Sequence, residues 1–181
     1  MKKMFLLGKK YSDTIMYVDY VKNGETNSCN KIHQTQGGIY NFYEAEINNW
    51  EIHAKTFGEK KAYIVSNKSQ SSRTSFVMGT QIAEIHKRDI TNINKNFDWL
   101  HISYLDDIEC YKEILDISIP FSVDFCTDEP RKKYLNILNK AKILFDSRER
   151  RRLYNNLDLI APIVLHDEYG IEIIQNKKTI Y

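Results

Sequence analysis

The sequence predicts a single α/β domain built on a mostly parallel sheet. Its 181 residues, of which 42% are hydrophobic and 28% charged, are enough for one globular domain with a sizeable core. In the second half, apolar runs recur about every 20 residues with helical patterns between them, and strands that alternate with helices form βαβ crossovers. No Pro/Gly/Ser-rich linker or fixed-period repeat divides the chain, so residues 1–181 are expected to form one domain.

The first 80 residues predict short strands and one helix. Apolar runs or alternating β-branched and aromatic residues predict strands at 3–7, 14–21, 31–36, 62–66 and 75–78. The first of these ends at Gly8, and Asn23-Gly24 marks a turn after the second. Apolar residues at 39, 43, 47 and 50 recur at helical spacing, which predicts a helix that opens on Gly37-Gly38 and extends to Trp50.

The second half is more regular. Apolar runs predict strands at 99–103, 119–125, 142–145 and 162–166, with a closing hairpin of 171–174 and 179–181. Apolar stripes predict helices at 108–115 and, behind Pro130, at 134–141. This alternation predicts a parallel sheet covered by helices, with the strands within about 14–36 forming a small antiparallel sheet.

The overall charge gives no reason to expect a polyanionic partner. Net charge is +2, from 26 basic and 24 acidic side chains, so we expect neither nucleic-acid nor membrane binding. The three cysteines are far apart and show neither zinc-site nor disulfide-scaffold spacing. We therefore expect a cytoplasmic protein without a membrane span.

Candidate ligand-binding residues follow the predicted strands, where ligands bind in open α/β sheets. Asp13 comes after the first strand, and Gly37, Gly38 and Asn41 stand before the first helix. A carboxylate accepts hydrogen bonds from hydroxyl groups, and free N–H groups at a helix N-terminus donate them, so the set suits a sugar. Asp13 as a turn residue and the glycine pair as a simple helix start remain open alternatives.

A second group follows the strand at 142–145. Asp146, Ser147 and Glu149 offer the hard oxygen ligands that Mg²⁺ prefers, although N-capping of a helix explains Asp146 or Ser147 equally well. Asp124 stands at the end of the preceding strand, either as a site residue or as a cap. The arginines at 148 and 150–152 form either a phosphate patch or a solvated face.

No nucleophile or metal-ligand pattern stands out among the remaining residues. The five histidines are dispersed, and no pair has metal-ligand or triad spacing. The thiols have no identifiable neighbouring base. No catalytic residue is therefore assigned.

Several segments together resemble ribokinase-like carbohydrate kinases. The opening FLLGKKYSD at 5–13 is followed by Val18-Asp19, by Gly24-Glu25-Thr26 and by Gly37-Gly38 with Asn41. Further along, SRTS at 72–75 resembles the lid return strand of that family, DWLHIS at 98–103 a core strand, and ILFDSRE at 143–149 the magnesium and phosphate segment. The resemblance thus covers nearly the whole chain.

The resemblance implies a three-layer core with an antiparallel β lid at about 14–36 and 73–78. It implies a sugar or nucleoside bound by Asp13, by the backbone of Gly37 and Gly38, and by Asn41 and Arg73. It further implies Mg²⁺ near Asp146, Ser147 and Glu149, ATP as cosubstrate, and a homodimer through the lid.

The chain also departs from the family. Ile39 and Tyr40 follow the glycine pair where small residues are common, and Asp146 or Ser147 stands where the family has an Asn. The family continues into a Gly-Ala-Gly-Asp motif that carries the catalytic Asp, and no Gly-x-Gly-Asp occurs in this sequence. We therefore expect a chain that lacks the C-terminal part of the family fold. Two functions remain open: a sugar-binding kinase relative with weak or lost phosphoryl transfer, and a non-catalytic interaction protein that dimerises through its lid.

Overall fold

The computed structural model describes residues 1–40, 49–69, 72–79, 85–108, 111–167 and 169–180. Ten strands lie in these ranges: β1 Lys2–Val18, β2 Lys31–Gly38, β3 Trp50–Asn67, β4 Ser72–Met78, β5 Trp99–Ile102, β6 Phe121–Asp124, β7 Ile143–Ser147, β8 Ile163–Asp167, β9 Gly170–Gln175 and β10 Lys178–Thr179. The α-helices described are α1 Lys87–Asn96 and α2 Leu135–Leu138. Four 3₁₀ segments accompany them: Leu105–Asp107, Tyr111–Asp116, Arg131–Tyr134 and Arg148–Tyr154.

The described strands form one mixed sheet in the order β10-β9-β8-β7-β6-β5-β1-β3-β4, with β2 paired to β1 outside this path. The central strands from β8 to β3 pair in parallel. Antiparallel pairs lie at the margins, where β9 joins β8 and β10 at one end and β4 joins β3 at the other. The predicted mostly parallel α/β sheet is confirmed.

Two long strands, β1 and β3, carry the chain from the core into a small mixed sheet, because they pair in parallel with each other and antiparallel with β2 and β4. β1 pairs with β3 along nearly all its length, with β5 over Met4–Leu7 and with β2 over Lys10–Tyr17. We call the part of β1 beyond Gly8, together with β2, the far half of β3, and β4, the lid. Because β1 and β3 belong to both parts, the lid is continuous with the core sheet.

The break predicted at Gly8 was wrong, because the strand continues through this residue. A Cβ atom at Gly8 would lie 2.5 Å from Cγ2 of Ile39 and 2.8 Å from the carbonyl oxygen of Ser103. The glycine therefore allows a close approach of neighbouring chain segments within a continuous strand.

Two predicted helices also differ from the structure. The segment predicted as a helix at 108–115 contains a 3₁₀ turn, Tyr111–Asp116, although Ile108 and Ile114 are buried as the stripe predicted. Both helix types bring residues three apart onto one side, so the spacing could not separate them. Trp50 begins β3 and does not end a helix, and residues 41–48 lie outside the described residues.

The main core lies against the parallel strands. It contains Leu7, Leu100, Val123 and Leu144 from neighbouring strands, and Ile93 of α1 packs against them. In the same helix, the carboxylate of Asp89 accepts a hydrogen bond from the backbone N–H of His86 at 3.2 Å and so caps the first turn. None of the described helices is long and apolar enough to span a membrane.

Candidate functional site

The order of the strands reverses beside β1. β3 lies on one side of it, whereas β5 to β8 follow one another on the other side. The backbone N–H of Ser103, just after β5, donates to the carbonyl of Leu7 at 2.8 Å, so the ends of the core strands stay together here. Ligands of open α/β sheets bind outside the carboxyl ends of the strands at such a reversal. The residues that project from β1, β5 and the lid are therefore candidates for ligand binding.

Asp13 and Gly37 meet on one face of the lid. Asp13 pairs with Thr35 in the antiparallel register of β1 and β2, and Tyr11 pairs with Gly37. Because paired residues point to the same face, all four lie on one side of the lid. A Cβ atom at Gly37 would lie 2.6 Å from Oδ2 of Asp13. The Asp13 carboxylate therefore lies in the space that the glycine leaves open.

Arg73 contributes positive charge near this carboxylate. Partial burial raises the pKa of Asp13, and the charge of Arg73 acts in the opposite direction and lowers it. Arg73 itself is exposed in β4, opposite Ser66 of β3. The structure thus brings together Asp13 and Gly37, and it places Arg73 on the same face of the lid, level with Tyr17 and within electrostatic reach of Asp13.

Gly38 has a local structural role. Its φ is +66°, and a Cβ atom there would collide with the carbonyl oxygen of Lys9. The next residue, Ile39, donates its N–H to the same carbonyl at 3.2 Å. The glycine thus permits the tight end of β2, and Asn41, predicted as a further sugar contact, lies outside the described residues.

Tyr104 connects this face of the lid to the carboxyl ends of the core strands. It follows β5 in the left-handed region, with φ 60° and ψ 61°, and its ring meets that of Tyr11 edge-on with centroids 5.5 Å apart. Burial raises the pKa of the Tyr104 hydroxyl, and the negative charges of Asp124, Cys126, Asp13 and Asp106 raise it further. Tyr104 is therefore a neutral hydroxyl group within electrostatic reach of carboxylates from both parts of the fold.

A polar depression of about 410 Å³ lies over β1 and β2, within the usual size range of small-molecule pockets. Its lining residues are Ser12, Asp13, Thr14, Gln34, Thr35, Gln36, Lys61 and Tyr63. By register, six of these lie on the face opposite Tyr11, and only Asp13 and Thr35 lie on the Tyr11 face. We call the face that carries Tyr11 and Asp13, against which Tyr104 packs, the inner face of the lid, and the opposite face the outer face. The depression therefore lies mainly on the outer face.

A buried ion pair lies at the carboxyl end of β7. Arg131 and Asp146 have no exposed side-chain surface. Nε and Nη2 of Arg131 donate to Oδ2 of Asp146 at 2.9 and 2.7 Å, and the hydroxyl of Tyr154 donates to the same oxygen at 2.7 Å. The other oxygen of Asp146 accepts from the N–H of Ser147 at 2.8 Å and from Arg150 at 3.3 Å. Both oxygens of Asp146 are thus engaged by protein donors.

Two further carboxylates stand near this pair. The pKa of Asp124 is raised to about 7, chiefly by burial and also by the charges of Asp146 and Asp106, against the lowering effects of a hydrogen bond from the N–H of Phe125 and of the charge of Arg150. Asp106 accepts from the backbone N–H and the hydroxyl of Thr127 at 2.7 and 2.6 Å. The three carboxylates stand in one acidic cluster, in which Asp124 holds a proton near neutral pH.

The residues at the end of β7 do not fit a Mg²⁺ ion. Mg²⁺ requires carboxylate oxygens with free lone pairs and retains several water molecules, but Asp146 is buried with both oxygens engaged. Ser147 is half-buried and Glu149 is exposed. In the part of the chain that the structure describes, no group of three or more His, Cys, Asp or Glu side chains is placed to hold a metal.

The arginine run forms ion pairs with acidic side chains. Arg150 and Arg152 contact Asp128 at 2.9 and 2.8 Å. Arg148 contacts Asp167 at 2.8 Å, and Arg151 contacts Glu172 at 2.7 Å. This arrangement favours an ion-paired surface over a phosphate patch, since each guanidinium already faces a carboxylate.

Sequence reasoning missed Tyr104, Arg131 and Tyr154. Tyr104 follows a predicted strand at the reversal of strand order, and this position was the signal that could have identified it. Arg131 stands in the run PRKK at 130–133, which looks like an exposed basic turn. Nothing in that run separates the buried arginine from its lysine neighbours.

No family model and no curated protein sequence matches the chain. Solved structures do match it over almost its whole length. The chain superimposes on ribokinase from Cryptococcus neoformans in complex with ADP with a TM-score of 0.66 at 9% identity, covering 98% of this chain and 77% of that one. Ribokinase from Arabidopsis thaliana with ribose and ATP gives a TM-score of 0.61 at 13% identity, with coverage of 99% and 77%.

A nucleoside kinase from Burkholderia thailandensis in complex with inosine is also similar. Its TM-score is 0.60 at 8% identity, with coverage of 97% of this chain and 74% of that chain. At these identities the likeness concerns the fold. The expected ribokinase-like fold is therefore confirmed, and the chain spans about three quarters of the length of these kinases.

Proposed function

We propose that this chain binds a small sugar or nucleoside on the inner face of the lid, above the carboxyl end of β5. The observation that carries the proposal is the position of Asp13, whose carboxylate fills the space above Gly37 on the face that also carries Tyr11 and Tyr104. A carboxylate accepts hydrogen bonds from two vicinal hydroxyl groups, and the Tyr104 hydroxyl can donate one. The solved structures of similar fold hold ribose or inosine, which supports this ligand class.

The proposed roles follow the resemblance residue by residue. Asp13 accepts from the sugar hydroxyls, the backbone of Gly37 and Gly38 lines the ligand, and Arg73 adds a positive charge beside Asp13. Asn41 is proposed as a further polar contact from the sequence alone.

Phosphoryl transfer by these 181 residues is proposed to be weak or lost. The sequence contains no Gly-x-Gly-Asp segment, and in the family the Asp of that segment is the catalytic base. The Asp146 carboxylate is neutralised by Arg131 within the protein, so it offers no charge to a metal–nucleotide complex. ATP binding is proposed only by analogy with the similar kinases that hold ATP or ADP. A cytoplasmic location is proposed because neither Cys29 nor Cys126 is joined in a disulfide.

Isothermal calorimetry with ribose, other pentoses and hexoses, and nucleosides including inosine tests the binding site. We expect saturable binding of at least one member, with affinity reduced about 10- to 100-fold by Asp13→Asn, because a hydrogen bond to a charged group contributes about 1.5–3 kcal/mol. Asp19→Asn is the matched control, since Asp19 is an exposed carboxylate a short distance along the same chain segment. No binding to any member, or equal loss in both variants, contradicts the proposal.

The same titrations repeated with Mg-ATP test the catalytic part separately. We expect no sugar-dependent release of ADP from the wild-type chain. Turnover in the wild-type chain that disappears in Asp13→Asn would support the proposed sugar site, but it would contradict the proposal that phosphoryl transfer is weak or lost.

A second candidate function is self-association through the lid. On the outer face, Ile32 is 62% exposed, Phe76 is 59% exposed and Met78 is 61% exposed, and by register Tyr63 lies between them on the same face. Exposed apolar residues gathered on one face of a sheet favour a protein partner. We propose a second copy of this chain as the occupant, and light scattering of the purified chain distinguishes a dimer from a monomer.

A further inference from the structure

Arg131 is surrounded by negative charge and aromatic rings at the carboxyl ends of β6 and β7. Its Nη1 lies 3.7 Å from Oδ2 of Asp106, and its Nε and Nη2 contact Asp146. Its guanidinium carbon lies 3.9 Å from the ring centroid of Phe125 and 5.9 Å from that of Tyr154. The guanidinium thus occupies the centre of the cluster.

Backbone carbonyl groups complete the coordination of the guanidinium. Nη1 donates to the carbonyl of Glu129 at 2.7 Å, and Nη2 donates to that of Thr127 at 2.8 Å. A fully buried arginine is expected only when its donors are satisfied and its charge is balanced. Both conditions are met, because each nitrogen of the guanidinium donates a hydrogen bond and Asp146 balances its charge.

We infer that the guanidinium of Arg131 is a built-in cation at the carboxyl ends of β6 and β7, and that it excludes a divalent metal from Asp146. The inference goes beyond the proposed sugar binding, because it concerns the metal chemistry of a different part of the molecule.

The physical reason is competition for the same lone pairs. Oδ2 of Asp146 receives three donors from Arg131 and Tyr154, and Oδ1 receives the N–H of Ser147. A metal ion would have to displace a guanidinium that does not lose its proton in proteins, and it would then leave that charge buried without a partner. The metal would also bring two positive charges next to Arg131.

Mn²⁺ binding measured by electron paramagnetic resonance tests the inference, because Mn²⁺ accepts the same oxygen ligands as Mg²⁺. The wild-type chain and Asp146→Asn are titrated with manganese chloride. We expect no saturable site in wild type. Saturable binding that is equal in both proteins also supports the inference, since that ion then lies away from Asp146.

Saturable binding in wild type that disappears in Asp146→Asn overturns the inference. If this variant does not fold, nuclear magnetic resonance of the wild-type chain decides between the outcomes. Paramagnetic broadening of the ring signals of Phe125 and Tyr154 by Mn²⁺ then overturns the inference, and unbroadened signals support it.

A gain-of-function variant provides the complementary test. Arg131→Ala removes the internal cation and leaves Asp106, Asp124 and Asp146 around a cavity, so Mn²⁺ should raise the melting temperature of this variant by several degrees more than that of wild type. Arg152→Ala is the control, because Arg152 pairs with Asp128 at the surface. An equal response of all three proteins to Mn²⁺ contradicts the inference. If Arg131→Ala yields no folded protein, the wild-type titration decides.

Discussion

The carboxylate of Asp13 lies over the Cα atom of Gly37, in the volume that a side chain at position 37 would fill. The two residues are on neighbouring antiparallel strands, and a Cβ atom on the glycine would come within 2.6 Å of Oδ2. The contacted atom is the end of a mobile side chain, and the backbone of Gly37 is not in the left-handed region. A larger residue there would move the carboxylate without distorting the strand.

Gly37→Ala should therefore weaken ligand binding while leaving stability nearly unchanged. We expect the affinity for the sugar found in the calorimetric panel to fall about tenfold or more, because the hydrogen bonds of a displaced Asp13 are lost. The melting temperature should change by less than about 3 °C, as expected when the free energy of unfolding changes by under 1 kcal/mol. Gln36→Ala, on the same strand but on the opposite face, is the control and should retain full affinity.

Gly8→Ala, in contrast, should lower the stability of the fold. Its new Cβ atom would meet the backbone carbonyl of Ser103 and the side chain of Ile39, neither of which can move freely within the sheet. We expect a loss of about 1–3 kcal/mol in the free energy of unfolding, measured by urea titration. A loss no greater than that of Gly37→Ala would show that the strands can separate at this point.

The pair of Arg131 and Asp146 should show strong coupling in a double-mutant cycle. Arg131→Met and Asp146→Asn each leave a buried charge or donor without its partner, so each should lower the free energy of unfolding by about 3–5 kcal/mol. The double variant should lose clearly less than the sum of the two. Additive losses in urea unfolding would indicate that the two side chains act independently.

Stability should depend on pH through Asp124. The folded state holds the proton of this carboxyl group up to a pKa of about 7, whereas the unfolded chain releases it near pH 4, at about the ordinary pKa. The contribution of Asp124 to stability is therefore complete below about pH 4 and is lost as the pH rises to about 7 and above. Asp124→Asn stays neutral throughout, so it should gain stability relative to wild type over this interval.

The measurement is the difference in melting temperature between Asp124→Asn and wild type from pH 4 to pH 8. A comparison with wild type is needed because His101 also makes stability depend on pH. Burial lowers the pKa of His101 to about 3, so its contribution to stability is lost as the pH falls from about 6.5 towards 3. We expect a difference close to zero at pH 4 and an advantage of several degrees for Asp124→Asn at pH 8. A difference that does not vary with pH would show that Asp124 is ionised throughout.

Lid-mediated association predicts a change of oligomeric state on the outer face alone. Phe76→Asp should convert a dimer into a monomer in light scattering, because it places a charge in the proposed apolar contact. Val77→Asp is the control, since Val77 is half-exposed on the opposite face of β4. A dimer that persists in Phe76→Asp places the interface elsewhere.

Local sequence patterns were sufficient to predict the strands in the core of the parallel sheet. The apolar runs at 99–103, 119–125, 142–145 and 162–166 coincide with β5 to β8, because strands buried on both faces need consecutive apolar residues whatever their neighbours are. The same logic failed at Gly8, where the glycine was interpreted as the end of a strand. Its actual role depends on Ser103, which is nearly a hundred residues away in sequence.

Some residues of the candidate site could likewise be predicted from the sequence, and others could not. Asp13, Gly37 and Arg73 were selected from the sequence by their positions after strands and by the family resemblance. The register of β1 and β2 accounts for the proximity of Asp13 and Gly37, whereas Arg73 acts on Asp13 through its charge. Tyr104 also follows a predicted strand but was not selected, whereas Arg131 carried no comparable signal.

By itself the sequence determined the fold class, the main strands and the types of residue available for a sugar, since these depend on periodicity and composition within short windows. Only the tertiary structure decided that Asp146 is neutralised by Arg131, that Asp124 keeps its proton near neutral pH, and that Tyr104 lies between the lid and the core. Burial, charge balance and pKa values depend on the atoms that surround a group in three dimensions, and those atoms come from segments far apart in the chain.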